Sequence, residues 1–242
     1  WRASEGPPKE VFFTQVHTAG QLAQSDFTHM NKLGITIAGR RFDHLIYHFV
    51  LTYSNWETGS ICFSESFESL SEGLQNALWE LGGVPEMHRT DCLTTAVQKT
   101  SHPDEFTRRY RDLLDHYKLK GCKTNPDSPH ENGDVEQRHY RFKKAVDQAL
   151  LLRNSRDFAD RQEYEQFLCK LIKQLNAGRR QRFSQEQAVL HRLPGRRIDA
   201  FKKSCMTVGP SSIIRVNHNA YSVDSRLTGE RIQVRLYMDH LE

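Results

Sequence analysis

The chain has 242 residues, of which 37% are hydrophobic and 26% charged, enough for one large domain or for a medium and a small one. No apolar stretch approaches the length of a membrane span, and residues 1–10 lack the apolar centre of a signal peptide. The net charge of +4 is mildly basic, and the five cysteines form no Cys-x-x-Cys pair, which disfavours a disulfide framework or a zinc knuckle. Because the chain opens on Trp1, we expect further domains upstream.

The first part of the chain predicts a linker followed by three strands. Residues 1–20 contain a Gly-Pro-Pro run and show little periodicity, which is typical of a linker. Residues 21–30 alternate as in a strand, and the apolar run within 40–53 indicates a central strand buried on both faces. A turn at 54–59 and a short third strand at 60–64 complete the predicted opening of the domain.

Helices and short strands alternate in the next part of the chain. Apolar residues at steps of three and four predict a helix over 66–81, which the glycine pair after it ends. A short strand over 84–91 and a second helix over 103–117 follow. The remaining predicted elements are a strand at 119–123, a loop at 125–130, a helix that begins near Gly133 or Asp134, and a helix at 157–175.

The C-terminal part differs in charge and texture. Residues 176–205 hold eight Lys or Arg against two acids, a net charge of +6 that exceeds that of the whole chain. A solvated linker and a segment that contacts DNA phosphates are both open readings of it. Short β-rich runs then predict a small all-β module, a barrel or a partly open sheet. The predicted division is a linker at 1–20, an α/β domain at 21–178, a basic linker at 179–205 and the β module at 206–242.

Three acidic residues occupy settings that favour a shared site. Asp26 lies near the middle of the first predicted strand, Asp91 ends the fourth, and Glu136 lies in the first turns of the following helix. Three converging carboxylates can hold two Mg²⁺ ions against a phosphodiester, which is the chemistry of cutting and joining DNA. Glu131 and Asp134 compete with Glu136 for the third position, but we expect them at or before the helix start.

The order of these elements and acids resembles the ribonuclease H-like fold, a mixed five-stranded sheet flanked by helices. The run GQLAQSDF at 20–27 is similar to the first-Asp strand of the DDE transposases and integrases. RTDCL at 89–93 is similar to their second motif, and NGDVE at 132–136 to their third. Cys92 stands where the family usually has Asn, and Thr28 replaces a small residue, but neither departure touches the three acids.

The resemblance is strongest to insertion-sequence transposases of the IstA type, and it implies a function. It implies that Asp26, Asp91 and Glu136 are catalytic residues that bind two Mg²⁺ (or Mn²⁺) ions, with Asp26 as the bridging ligand. Water would nick the element end, and the freed 3′ hydroxyl would attack target DNA. The implied partners are transposon-end and target DNA, further copies of the chain, and an AAA+ ATPase helper protein. The implied location is the bacterial cytoplasm, at the nucleoid, with a DNA-reading helix-turn-helix region upstream.

Basic residues on the helix of Glu136 and in the basic segment are the expected DNA contacts. Ordinary helix-surface charge is an equal alternative for each residue on the helix. The candidates are Arg138, Tyr140, Lys143, Lys144, Arg179, Arg180, Arg182, Arg196 and Arg197.

Two other functions stay open. One is a nuclease of the same superfold, which the added basic segment and β module disfavour. The other is a non-catalytic or decayed DNA-binding or assembly module of a mobile element, which would lack metal binding at the acids.

Overall fold

A five-stranded mixed sheet forms the centre of the part of the chain that the structure, a computed structural model, describes. That part comprises residues 16–90, 103–122, 129–216 and 219–242, without the side chains of 103–107 and 129–137. The first seven strands are β1 (Leu22–His29), β2 (Thr36–Ile37), β3 (Arg40–Arg41), β4 (Leu45–Leu51), β5 (Glu57–Cys62), β6 (Met87–Thr90) and β7 (Lys120–Cys122). The order across the central sheet is β5-β4-β1-β6-β7, with β1 in the middle.

Strand β1 joins the antiparallel and the parallel half of this sheet. It is antiparallel to β4, where Asp26 lies opposite His48, and parallel to β6, where Ser25 lies opposite Thr90. β4 and β5 are antiparallel, while β6 and β7 are parallel. This mixed sheet with flanking helices confirms the predicted ribonuclease H-like fold class.

The buried central strand is confirmed, but the turn after it is shorter than predicted. Every residue of β4 is buried. Asn55 adopts a positive φ of 63°, and the Trp56 N–H donates to Ser54 Oγ at 3.1 Å, so the chain reverses before residue 57. Residues 57–59 therefore pair with β4, and the prediction that they belong to the turn is wrong.

Helices α1 (Phe67–Leu81) and α2 (Pro103–Tyr117) follow the prediction closely. Ser66 caps α1 by accepting a hydrogen bond from the Ser69 N–H at 3.2 Å, and Gly82 ends it with a φ of 78°. Both helices contribute apolar side chains to one hydrophobic cluster with Ala23 of β1.

Helices α3 (Pro129–Arg153) and α4 (Arg161–Ala177) contribute to a second cluster. The predicted start of α3 near Gly133 is wrong, because the helix begins at Pro129. Proline suits the first helical position, where its missing N–H would have no partner. The predicted start of α4 at residue 157 is also wrong: residues 157–158 form strand β8 beside β2, and Asp160 caps α4 by accepting from the Glu163 N–H at 2.8 Å.

The segment predicted as a basic linker contains regular structure. Helix α5 spans Arg180–Gln187, and the buried Glu186 carboxylate accepts the backbone N–H groups of Gly20 and Ser54 at 3.2 and 3.0 Å. Further along, Gln75 of α1 binds the backbone of Ile198. These contacts attach the segment to the sheet and to α1, while the boundaries of the predicted domains stay a prediction.

Small β-sheets at the C-terminus follow, in agreement with the predicted β module. The strands are β9 (Lys202–Thr207), β10 (Ile213–Val216), β11 (Asn219–Ser222) and β12 (Arg231–Leu236). β9 pairs with β12 and β10 with β11, both antiparallel, around a cluster that includes Val208 and Val234. Among the helices that the structure describes, none is both long and apolar enough to cross a membrane.

Candidate active site

Asp26 lies half-buried on β1, the central strand of the sheet. Its Oδ1 accepts a hydrogen bond from the Phe27 N–H at 2.7 Å. Its neighbour across β4 is His48, which is fully buried. The carboxylate is thus held on the central strand while keeping some exposure.

For the other two predicted acids, Asp91 and Glu136, the structure gives no side-chain position. Asp91 is outside the described residues, and it follows Thr90, the last residue of β6. Glu136 lies in α3, and its side chain is not described. Among the described residues, no three His, Cys, Asp or Glu form a group that could hold a metal ion. The assignment of the three acids to one site therefore stays a prediction.

A chain of buried polar contacts connects α3 to β1 and β4. His139 of α3 lies three residues after Glu136, and its Nδ1 is 3.1 Å from Thr28 Oγ1 and 3.0 Å from His48 Nδ1. Thr28 is two residues after Asp26, so both side chains project from the same face of β1. The ring of Phe142 stacks on that of His48, with centroids 4.5 Å apart. The helix of Glu136 is therefore fixed to the face that carries Asp26.

The chain of contacts continues along the same face of the sheet, over β5, to the start of the basic segment. His48 Nε2 is 2.8 Å from Glu57 Oε2, and Arg179 Nη1 is 2.6 Å from Glu57 Oε1. Asn176 holds the backbone of Glu57 on both sides, donating to its carbonyl at 2.7 Å and accepting from its N–H at 3.0 Å. We call Thr28, His139, His48, Glu57 and Arg179 the polar relay.

Burial and neighbouring groups together shift the pKa values of His139 and Glu57. Burial and the nearby charges of His48 and Lys143 lower the pKa of His139 to about 3, so its ring is neutral. Burial by itself would raise the pKa of Glu57, but the hydrogen bond and charge of His48, together with Arg179, bring it below its ordinary value. An ionised carboxylate can only accept hydrogen bonds, so Glu57 accepts one from the His48 Nε2–H, while His48 Nδ1 faces His139.

One feature of the sequence, a histidine within a buried apolar strand, indicates that a polar partner must exist but does not identify it. His48 is the one polar residue in the apolar run 45–51, and a buried polar side chain requires a partner. Helical spacing already places His139 on the face of Glu136. Glu57, predicted in a turn, could not be identified as that partner from the sequence.

A second buried histidine lies on the opposite face of β1. His88 is completely buried, with its Nε2 2.9 Å from Ser25 Oγ and its Nδ1 3.1 Å from Tyr110 Oη. Burial lowers its pKa to about 3. Both ring nitrogens have partners, so His88, although close to Asp91 in sequence, belongs to the core between the sheet and α2.

The predicted DNA contacts on α3 differ in exposure. Tyr140 and Lys144 are exposed, while Arg138 and Lys143 are half-buried. Burial, and to a lesser extent the charge of Lys32, lowers the pKa of Lys143. Tyr140, with 65% of its surface exposed, is a large aromatic side chain without a described packing role.

The predicted contacts in the basic segment also divide into two groups. Arg179 is bound inside the polar relay, which disfavours a phosphate contact for it. Arg180, Arg182 and Arg196 are exposed, and the guanidinium of Arg182 lies 5.8 Å from the Tyr53 ring centroid. Arg197 is exposed as well, but it donates to Asn76 Oδ1 at 2.6 Å.

Comparison with known proteins found a family match and relatives for this chain. Residues 193–242 match the family of the Mu transposase C-terminal domain. A transposase for the insertion sequences IS1326/IS1353 from Pseudomonas aeruginosa is 24% identical over 213 residues, covering 85% of this chain and 41% of that protein. The chain belongs to the DDE transposase/integrase superfamily. This confirms the resemblance inferred from the three motifs.

Two further matches define the extent of the likeness. The uncharacterized protein y4jA/y4nE/y4sE of Sinorhizobium fredii is 41% identical over 245 residues, covering 100% of this chain and 49% of that protein. A chain of the simian T-cell lymphotropic virus intasome, solved in complex with PP2A regulatory subunit B56 gamma, aligns with a TM-score of 0.54 at 11% identity. It covers 97% of this superfamily member and 82% of the viral chain, and at that identity it shows the fold. The chain spans about half the length of the sequence relatives described here.

Proposed function

We propose that this chain is the catalytic core of a DNA transposase that cleaves DNA ends and joins them to target DNA with the help of divalent cations. Asp26, Asp91 and Glu136 are its catalytic carboxylates. The observation that carries the proposal is the register of β1 and β6. The last described pair is Ser25 opposite Thr90, and Asp26 and Asp91 are the residues that follow this pair in the sequence.

Continuation of this register would give two carboxylates side by side. Paired residues of parallel strands project from the same face of a sheet, because side chains alternate along both strands together. Asp26 would then share its face with Asp91, at a separation suited to a common pair of cations.

The path of α3 supports the position of the third acid. His139 contacts Thr28, and further along the helix Asp147 is joined through Arg156 to the Leu33 carbonyl. Later residues of α3 thus lie beside later residues of the chain after β1. The preceding turn, which carries Glu136, would lie on the Asp26 side of His139.

The choice of Glu136 over its competitors now depends on this geometry alone. Glu131 and Asp134 were expected at or before the start of the helix, but α3 includes both. Glu136 keeps the advantage of lying nearly one turn before His139, on the same face of the helix.

The donor set suits a pair of hard cations. Mg²⁺ prefers carboxylate oxygens and keeps several waters, so three carboxylates suffice for two ions. Such ions activate the attacking oxygen and stabilise the leaving oxygen of an in-line displacement at phosphorus. The protein's own contribution is to hold the three carboxylates in place, with Asp26 anchored on β1 by the Phe27 N–H.

Four exposed cations and one exposed aromatic residue are the proposed DNA contacts around this centre. Lys144 and Tyr140 on α3, together with Arg180, Arg182 and Arg196, can neutralise or stack on nucleic acid without breaking a described ion pair. Because both ends of an element must be joined, we also propose that several copies assemble on DNA. The AAA+ helper protein stays a prediction.

The test is strand transfer by the full-length protein with pre-cut element ends. Asp26→Asn, Asp91→Asn and Glu136→Gln should each abolish joining, whereas binding of the ends changes little, since the side-chain shape is kept and only the ligand charge is lost. Glu131→Gln and Asp134→Asn are the matched controls on α3 and should retain joining. Joining retained by Asp26→Asn would contradict the proposal. On uncut end DNA, cleavage without joining by the unmodified protein would instead identify a nuclease, and DNA binding without cleavage or joining would identify an assembly module.

A further inference from the structure

We propose that Thr28 and His139 form a positioning pair that sets the turn of α3 carrying Glu136, with the rest of the polar relay holding that pair rigid. The inference rests on the proposed function and adds two residues to it that do not themselves bind metal or DNA.

The pair joins α3, the helix of Glu136, to β1, the strand of Asp26. One atom, His139 Nδ1, contacts both Thr28 Oγ1 on β1 and His48 Nδ1 on β4, at 3.1 and 3.0 Å. A contact shared by two neighbouring strands fixes both the height and the rotation of the helix above the sheet. The ring Nε2 is buried and has no hydrogen-bond partner among the described residues, so only the Nδ1 side anchors it.

The far side of the polar relay has no freedom to relax. His48 and the Glu57 side chain are 0% and 6% exposed, and Arg179 together with Asn176 holds Glu57 from the other side. Hydrogen bonds in such a low-dielectric setting are stronger than in water, and leaving one partner unpaired is costly. Phe142 closes the assembly by stacking on His48. The position of His139 is therefore determined by the sheet.

The position of His139 affects cation binding because it sets the position of Glu136 on the same helix. Three residues along an α-helix correspond to a rise of about 4.5 Å, nearly one turn, so a rotation at His139 is transmitted to Glu136. A catalytic group must be held to about 0.5 Å for productive geometry. Side chains that orient metal ligands typically change metal affinity or activity by about 10- to 100-fold when they are removed.

The experiment uses the full-length protein and pairs each disruptive change with a conservative one. Thr28→Val removes the hydroxyl and keeps the shape, while Thr28→Ser keeps the hydroxyl. His139→Leu removes the ring nitrogens, while His139→Asn keeps a polar atom at the δ position. Two readouts are measured: the Mg²⁺ concentration for half-maximal strand transfer, and the Kd for Mn²⁺ without DNA by electron paramagnetic resonance.

We expect Thr28→Val and His139→Leu each to weaken Mn²⁺ binding and raise the Mg²⁺ requirement by about tenfold. Saturating Mg²⁺ should restore much of the rate, and DNA affinity should not change. Thr28→Ser and His139→Asn should recover at least half of the loss on a logarithmic scale. The double variant Thr28→Val with His139→Leu should be no worse than the poorer single variant, because the two residues act through one contact.

A matched control separates positioning from general destabilisation. The Thr58 hydroxyl of β5 donates a part-buried hydrogen bond to Glu80 of α1, on the opposite face of the sheet from Asp26, so Thr58→Val should lower stability without altering the metal requirement. If the Thr28 and His139 variants behave like Thr58→Val, or if their effects add, the positioning pair is refuted. Failure of the proposed function is distinguishable, because either the unmodified protein would then not join ends or Asp26→Asn would retain joining, whatever the Thr28 variants do.

Discussion

The two faces of β1 each bury a histidine against a hydroxyl residue, but they use it differently. On the α2 face, His88 engages both nitrogens, with Ser25 and Tyr110. On the α3 face, His139 directs one nitrogen to Thr28 and His48 and leaves the other without a described partner. Burial lowers both pKa values to about 3. A buried, neutral histidine is therefore no sign of function, and what distinguishes the two is the element that each attaches to the sheet.

The largest expected difference between the two faces of β1 is in strand-transfer activity, which should depend on the α3 face. Asp26→Asn should lower strand transfer by at least about a thousandfold, because removing the ligand charge forfeits several kcal/mol of transition-state stabilisation. Ser25→Ala, one residue away on the opposite face, should retain joining in the same assay. Equal losses for the two changes would show that the faces are not functionally distinct.

The next effect concerns stability at the α2 face. His88→Ala should reduce the free energy of unfolding by about 3 kcal/mol, since it leaves a cavity and two buried hydroxyls without their partner. Urea unfolding measures this change. Near-wild-type stability of His88→Ala would show that the network of Ser25 and Tyr110 is not part of the packed core.

The pH dependence of stability should reveal both histidines. Folded His88 and His139 titrate near pH 3 and an unfolded histidine near 6.5, so between these values the unfolded chain binds more protons. Stability therefore falls as the pH is lowered from 6.5 towards 3, by about 1.4 kcal/mol per pH unit for each histidine. His88→Gln and His139→Asn should each reduce the slope of unfolding free energy against pH by the contribution of one histidine. His29→Gln, at an exposed position, serves as the control, and an unchanged slope in both buried variants would contradict the assignment.

The smallest expected effect separates neighbouring arginines in the basic segment. Arg180→Ala and Arg182→Ala should each lower the salt dependence of DNA binding by up to about one slope unit, because each would remove one phosphate contact. Arg179→Ala should instead lower the stability of the fold, since it removes the guanidinium that pairs with the buried Glu57 carboxylate. A salt slope that changes only for Arg179→Ala would reverse this distinction.

The sequence by itself determined the elements whose causes are local. Apolar spacing and the glycine pair defined α1, and the apolar run at 45–51 defined the buried β4. The three motifs also identified the superfamily. Where local signals compete, prediction failed: proline can open a helix as well as end one, so the start of α3 was misplaced, and a left-handed Asn55 made the turn before β5 shorter than expected.

Only the tertiary structure decided which polar residues act together. Thr28, His48, Glu57, His139 and Arg179 come from separate stretches of the chain, and nothing in their local sequence indicates that they touch. Their contact depends on the order of the sheet strands and on the angle at which α3 crosses them. The same reason applies to Arg179: its charge predicts a phosphate contact, whereas in the fold its guanidinium is paired with the buried Glu57 carboxylate. Charge is a property of the sequence, whereas the partner of a charge is a property of the fold.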